Sequence, residues 1–356
     1  MKNSFCSQST LLSREREIAD LPHHASPRLV YAKPSFLNFL SEAVEGERQA
    51  VYHYEHGQLA GFLPYFLLER GPGVVINSLP WFGSHGGCYV HDSADPEKVR
   101  RQLLRKFKEI LRGEKRLQTS TISLSPFEQA YVELYIEELE PAAIDKRLGQ
   151  ITTLPERRGH TDEADISQAL MGLMKQTARR SLRKGLKQNF EFVADTSDAA
   201  WEFLYEIHCD NMKAIGGRPK EWRHICAMRG HLAEEARIWT AKLKEEPVAA
   251  LLCLFSPPCA EYILPTIKHE YRPLQPLSFL IHQGMIAAVK EGFSYWNFGG
   301  TWPAQKSLHH FKLGWGAEDA PYTYIINTGP RFSGVTPELA RDYPFYYFYP
   351  FQANVV

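Results

Sequence analysis

Neither sign of charge is in excess in this chain. Lys+Arg and Asp+Glu each number 41 and cancel. A zero balance excludes the global field that draws basic proteins to nucleic acid or acidic membranes, so any anion site must be local. Long apolar runs are missing too. The longest are interrupted and reach about ten residues, roughly half of a bilayer crossing. The opening "MKNSFCSQSTLLSREREIAD" lacks the continuous apolar segment of a signal peptide. The six cysteines, Cys6, Cys88, Cys209, Cys226, Cys253 and Cys259, make no C-x-x-C pair and no zinc spacing. Their scatter suits a reducing compartment. These absences predict a cytoplasmic protein with no transmembrane segment and no metal. No H-E-x-x-H and no G-x-S-x-G is present, and no cysteine has an evident catalytic neighbourhood.

What is present is an ordinary globular composition, 44% hydrophobic and 23% charged over 356 residues, long enough for two domains. Residues 1–26 read as a polar tail or a short pre-helix. "SFLNFLSEAV" (35–44) has helical spacing. "QAVYHYEHGQLAGFLPYFLLER" (49–70) reads as two strands around the turn His56-Gly57, and "GVVINSLP" (73–80) and the Gly-rich "GSHGGCYV" (83–90) as further strand-like runs. "DPEKVRRQLLRKFKEILRG" (95–113) predicts an amphipathic helix capped by Asp95, with Pro96 at its first position. "LQTSTISLS" (117–125) alternates as a strand.

The second half predicts helices over 166–188, 197–215, 221–236 and 276–292. Strands are expected at 190–195, 260–268, 294–300 and 321–327, with a hairpin over 237–255. That hairpin resembles the one over 49–70, with Ala249 placed like Ala60, and an internal duplication is the simplest reading. The polar, turn-rich "LPERRGHTDEAD" (154–165) marks the boundary, giving domains 27–158 and 159–356. The aromatic "YPFYYFYPFQ" (343–352) is expected to close a core or a dimer contact rather than form a helix.

Three features invite chemistry. In helix 166–188, Leu170, Met174, Ala178, Leu182 and Leu186 form a core stripe, and Lys175, Arg179, Arg183 and Lys187 stack at the same four-residue spacing. Like charges so placed repel by a few tenths of a kcal/mol per pair. They suit either an anion site or a solvated face paired with acids elsewhere. "GGTWPAQKS" (299–307) looks like a phosphate loop but has Gln305 where the glycine before the lysine belongs, and a stiffening Trp302-Pro303. His309-His310 point about 100° apart on a helix and so cannot easily share one ion; a helix surface with one buried imidazole is the plainer reading. There remains Phe311-Lys312. A lysine held beside a reacting carbonyl can stabilise an oxyanion; the plain alternative has Phe311 in the core and Lys312 on the surface.

The order "RRSLRK", "EEPVAALLCLF", "EYRPLQPLSFLIHQGMIAAVKEGFSYWNFGG" and "SLHHFKLGWGAEDAPYTY", with "SLPWFGSHGG" (78–87) in the first half, resembles the FemABX-like transferases of the GNAT superfamily. The likeness is to the acyl-CoA branch, whose "D-F-G-G … F-K-x-x-[FW]-G" pattern reads here Asn297-Phe298-Gly299-Gly300 and Phe311-Lys312-Leu313-Gly314-Trp315-Gly316. It covers most of residues 35–330. The resemblance implies an α/β (α+β) chain of two tandem GNAT-like domains, each a mixed, mostly antiparallel sheet flanked by helices, the second carrying the donor site. It implies N-acyl transfer, with acyl-CoA as the donor, to an amine of a small or cell-envelope precursor. Lys312 then stabilises the tetrahedral intermediate and Phe311 shapes the pocket. Arg272, Leu277 and Ser278, at the start of helix 276–292, would hold the donor. Arg179, Arg183, Tyr262 and Trp302 would hold a small-molecule or nucleotide-linked acceptor, and Glu261 and Tyr262 could handle protons. Two departures stand out: Asn297 replaces the usual Asp, and "YRPLQPLS" puts prolines where the pyrophosphate loop R/Q-x-x-G-x-G/A has glycines. An aminoacyl-tRNA-dependent ligase and a non-catalytic binding protein stay open as alternatives, as does a homo-oligomer. The inserted helical arm of bridge-forming members is missing.

Overall fold

The computed structural model describes residues 17–18, 29–81, 83–157 and 162–348. The expected tail apart from residues 17–18, which are helical, Phe82 of "SLPWFGSHGG", and residues 349–352 of the aromatic segment lie outside the described residues. The chain divides into two compact units, one of Tyr31–Lys146 with the segment from Thr323 on, the other of Arg147–Tyr322.

The first unit contains α1 (Pro34–Ala43), β1 (Glu47–Glu55), β2 (Gln58–Arg70), β3 (Gly73–Ser78), β4 (Tyr89–Val90), α2 (Pro96–Gly113), β5 (Leu117–Ser123) and α3 (Val132–Leu139). β6 (Ala143–Thr153) begins in it and passes into the second unit. The second unit continues with α4 (Glu163–Leu173), α5 (Gln176–Leu186), β7 (Glu191–Ala194), α6 (Asp198–Ala214), α7 (Trp222–His231), β8 (Ala236–Leu243), β9 (Glu246–Ser256), β10 (Cys259–Ile267), α8 (Pro276–Lys290), β11 (Tyr295–Gly300) and α9 (Lys306–Gly314). β12 (Glu318–Thr328) leads back into the first unit, which ends with α10 (Pro337–Asp342).

In the first unit the strand order is β1-β2-β3-β5-β12, with β4 beside β2. β3 and β5 run parallel and pair from Val74 to Ser78, with one irregularity after Val74; the β1–β2, β2–β3 and β5–β12 pairs are antiparallel. α2 starts as its sequence dictates. The Asp95 carboxylate accepts from the amides of Glu97 and Lys98, and Pro96 follows where no amide is needed. Its apolar stripe, Val99, Leu103, Leu104, Phe107 and Leu111, is buried with Leu63, Val74 and Ile76 of the sheet. "GSHGGCYV" forms only the two-residue β4; its glycines Gly83 and Gly87 take positive φ and bend the chain out of a strand.

In the second unit the order is β6-β11-β10-β9-β8-β7. α8 is buried nearly all round, with Phe279, Leu280, Ile281, Met285, Ile286 and Val289 in the core, so it reads as apolar rather than amphipathic. The helix expected over 166–188 is two helices. Met174 and Lys175 are extended, with ψ of 146° and 160°, and the Lys175 amide donates to the Gly314 carbonyl at 2.9 Å. The tertiary hydrogen bond outweighs the local periodicity, which runs through the break. Leu186, the last member of the expected core stripe, is exposed.

The two hairpins repeat one another closely. His56-Gly57 and Lys244-Glu245 form two-residue turns with every φ positive. In the first, Glu55 faces Gln58, Tyr54 faces Leu59 and His53 faces Gly61, leaving Ala60 as a bulge. In the second, Leu243 faces Glu246, Lys242 faces Pro247 and Ala241 faces Ala249, leaving Val248 as the bulge. Ala60 therefore corresponds to Val248, and Gly61 to Ala249, one residue from the match expected on alanine. Residues 126–153, unassigned by periodicity, hold α3 and β6.

Candidate active site

β10 and β11 are the parallel pair of the second unit, and they separate. Cys259 faces Tyr295, Ala260 faces Trp296 and Glu261 faces Asn297, and pairing then stops although β10 runs on to Ile267. β11 stays with β6, where Gly300 faces Gly149, and β10 stays with β9. A wedge opens between them. The parallel pair of the first unit, β3 and β5, has no such opening.

A polar network begins at the wedge's apex. Glu261 is buried and its carboxylate accepts from the Asn297 side-chain amide at 2.9 Å. The Asn297 carbonyl oxygen accepts from the Gly299 amide at 2.8 Å, closing a local side-chain turn. Gly299 has φ +72°, a conformation that costs other residues about 1–2 kcal/mol. This turn presents two successive carbonyls to Lys312, whose Nζ donates to Gly299 O at 2.9 Å and to Gly300 O at 2.8 Å. Lys312 is 3% exposed whereas Phe311 is 37% exposed. Both halves of the plain sequence reading are thus reversed: the lysine is interior and the aromatic is out. Burial without a carboxylate partner lowers the Lys312 pKa to about 8. An ammonium has three N–H groups, and two are used here.

The loop after β11 is tightly held. The Thr301 amide donates to Leu148 O, and its hydroxyl to the Gln150 side chain. The Trp302 ring lies under the Arg147 guanidinium at 4.2 Å. His309 Nε2 meets Asp319 Oδ1 at 2.7 Å, and Gln150 reaches the same oxygen at 3.2 Å. His310 is exposed, so neither histidine is the buried imidazole expected. Among the described residues no group of His, Cys, Asp or Glu is arranged to hold a metal ion. Tyr262, next to Glu261, is half-buried, with Phe298 at 5.2 Å and Trp296 at 6.4 Å; burial raises its phenol well above the usual range, so it stays protonated.

The proposed donor residues lie at the start of α8. Gln275 takes φ +65° with no side-chain cap on the helix, and Ser278 Oγ donates to Gln275 Oε1 at 3.1 Å. Pro276 has no amide, leaving Leu277 and Ser278 as the N–H groups of the first turn. Arg272 is exposed on the preceding short 3-10 turn. α5 packs here closely: a Cβ on Gly185 would lie 2.8 Å from the Gln275 carbonyl oxygen.

Arg179 and Arg183 project from the other side of α5. At about 100° per residue, Lys175, Arg179, Arg180, Arg183, Lys184 and Lys187 cover about half the helix circumference, away from the buried Ala178, Leu182 and Gly185. None of the six forms an ion pair among the described residues. α2 is equally basic and differs: Lys98, Arg100, Arg101, Arg105 and Lys108 pair with Glu55, Glu128, Glu137, Glu138 and Glu140. The structure thus joins Lys312, Asn297 and Glu261 into one network with Tyr262 beside it. It does not bring Arg179 or Arg183 into that network. The Gly299 and Gly300 carbonyls, which fix Lys312, were missed by the sequence reading; the signal was the pair of glycines closing a strand.

Residues 173–319 match the family model described as an acetyltransferase (GNAT) domain. No curated protein matches the sequence. Among solved structures, FemX superposes with a TM-score of 0.66 at 12% identity, over 88% of this chain and 95% of that one. The C-terminal domain of a putative lysylphosphatidylglycerol synthetase from Agrobacterium fabrum gives 0.55 at 12%, over 89% and 92%. A tandem GNAT protein from the clavulanic acid biosynthesis pathway gives 0.50 at 12%, over 91% and 96%. At such identity the likeness is one of fold. Residues 173–319 match a GNAT acetyltransferase domain, and the chain shares its fold with FemX and with the tandem GNAT protein.

Proposed function

We propose that the protein is an N-acyltransferase moving an acyl group from an acyl-CoA thioester to the amine of an anionic acceptor, a small molecule or a cell-envelope precursor. The observation that carries this reading is the wedge between β10 and β11 with a buried ammonium, Lys312, at the end of the β11 side. The free edge of β10 suits an extended, amide-bearing arm, which would add to it as a strand does. The start of α8 offers two amides and the nearby Arg272 for phosphate, fewer than a glycine loop would give.

The reaction needs the amine about 3 Å from the thioester carbonyl and a donor aimed at the developing oxyanion. The third N–H of Lys312 is that donor. The C–N bond forms, the C–S bond breaks, and the amine's proton passes to the thiolate by way of the Glu261 carboxylate or water. Phe311 walls the site from the solvent side, and Tyr262 and Trp302 bound the acceptor. The unpaired Arg179 and Arg183 hold its anionic part.

A second reading, with aminoacyl-tRNA as donor, is favoured by the unpaired cations of α5 and by the prolines at the start of α8. Thermal-shift titration separates the two, since a ligand that binds only the native state raises the melting temperature. Coenzyme A should raise it. A rise with aminoacyl-tRNA and none with coenzyme A would replace the first reading by the second.

A further inference from the structure

The wedge-facing edge of β10 is partly occupied by the protein itself. In the antiparallel β9–β10 ladder, the Lys268 amide donates to Val248 O, so residue 268 faces β9. Ile267, opposite Ala249, then turns its N–H and C=O away from β9 and into the wedge. Both groups are taken by one side chain. Asn211, in the last turn of α6, donates from Nδ2 to Ile267 O at 2.8 Å and accepts from Ile267 N at Oδ1 at 3.1 Å. Two residues back along the same edge stands Pro265, which offers a carbonyl only. Past the break in register at Ile263, Ile267 is therefore this edge's one complete donor–acceptor pair.

A carboxamide reproduces both hydrogen-bonding groups of a peptide-like amide. We infer that Asn211 stands in for an amide of the donor's arm, and that a donor lying along β10 must displace it. Asn211 is thus a specificity residue for the donor, an inference that rests on the acyl-CoA reading above. Ile267 and Lys268 are only half-buried, so water could satisfy these groups, and a side chain from a distant helix is not needed for that purpose alone. Pairing with Asn211 makes the free edge selective: arms with a well-placed amide recover what they displace, and arms without one do not.

The test uses two probes on the full chain, coenzyme A and adenosine 3′,5′-bisphosphate, which carries phosphates but no amide arm. Calorimetric affinities are compared for the wild type and Asn211→Ala. The expected result is coenzyme A binding about tenfold tighter in the variant, with the bisphosphate unchanged. Asn211→Ser, whose hydroxyl cannot span both groups, gives the same comparison should the alanine variant not fold. An unchanged ratio of the two affinities would overturn the role of Asn211 alone, with the donor reading intact. Coenzyme A binding to neither protein would overturn the donor reading and this inference with it.

Discussion

Lys312 sits where a charged side chain is costly, and its geometry shows what holds it there. Two backbone carbonyls, fixed by Asn297 and by the left-handed Gly299, receive its ammonium. Its pKa in the fold, about 8, lies below the ordinary 10.5. Between these values the unfolded chain retains a proton that the folded chain has released, so stability rises as pH climbs from about 8 toward 10. Below 8 both states are protonated, the slope vanishes and the burial cost is fully present. Urea unfolding at pH 7 and pH 9.5 should show this gain in the wild type and not in Lys312→Met. Gly299→Ala meets nothing within 4 Å of its new Cβ, so its cost is conformational, about 1–2 kcal/mol by denaturant unfolding, with a larger loss of turnover as the carbonyls shift. The Phe-Lys pair was legible in the sequence as a candidate. Its burial was not, because acceptors supplied by backbone carbonyls leave no mark on side-chain pattern. An expectation based on hydropathy alone puts Phe311 inside and Lys312 outside, the reverse of what the fold does.

Among elements, α2 and α5 show how little a basic helix says by itself. Their sequences are comparably rich in Lys and Arg, yet α2 binds its cations to glutamates from β1, from α3 and from the loops flanking α3, while those of α5 have no ion pair among the described residues. Arg179→Gln with Arg183→Gln should leave the melting temperature within about a degree, since Arg183 is exposed, Arg179 only half-buried, and neither has an ion pair among the described residues. The pair should raise KM for an anionic acceptor about tenfold or more, with kcat nearly constant. Removal of the α2 cap by Asp95→Ala should cost about 1 kcal/mol in a denaturant titration. Caps, turns and strands of this kind were readable because each is set by local chemistry. The break between α4 and α5, the bulges at Ala60 and Val248 and the short β4 were not: each is set by a partner distant in sequence or by register, which periodicity does not encode.

At the scale of the whole molecule, two units share the same hairpin, bulge and parallel pair, and only the second opens that pair into a wedge. The acetyltransferase (GNAT) match falls on that unit. The central claim is that the buried ammonium at the wedge performs acyl transfer. Thiol release from acetyl-CoA with a panel of anionic amines, followed from pH 6 to 9.5 for the wild type and Lys312→Met, tests it most directly. The account predicts wild-type rates that fall above pH about 8 as Lys312 loses its proton. It also predicts a loss of at least about a hundredfold in a variant that melts as a folded protein. Release by Lys312→Met within about twofold of wild type would contradict it.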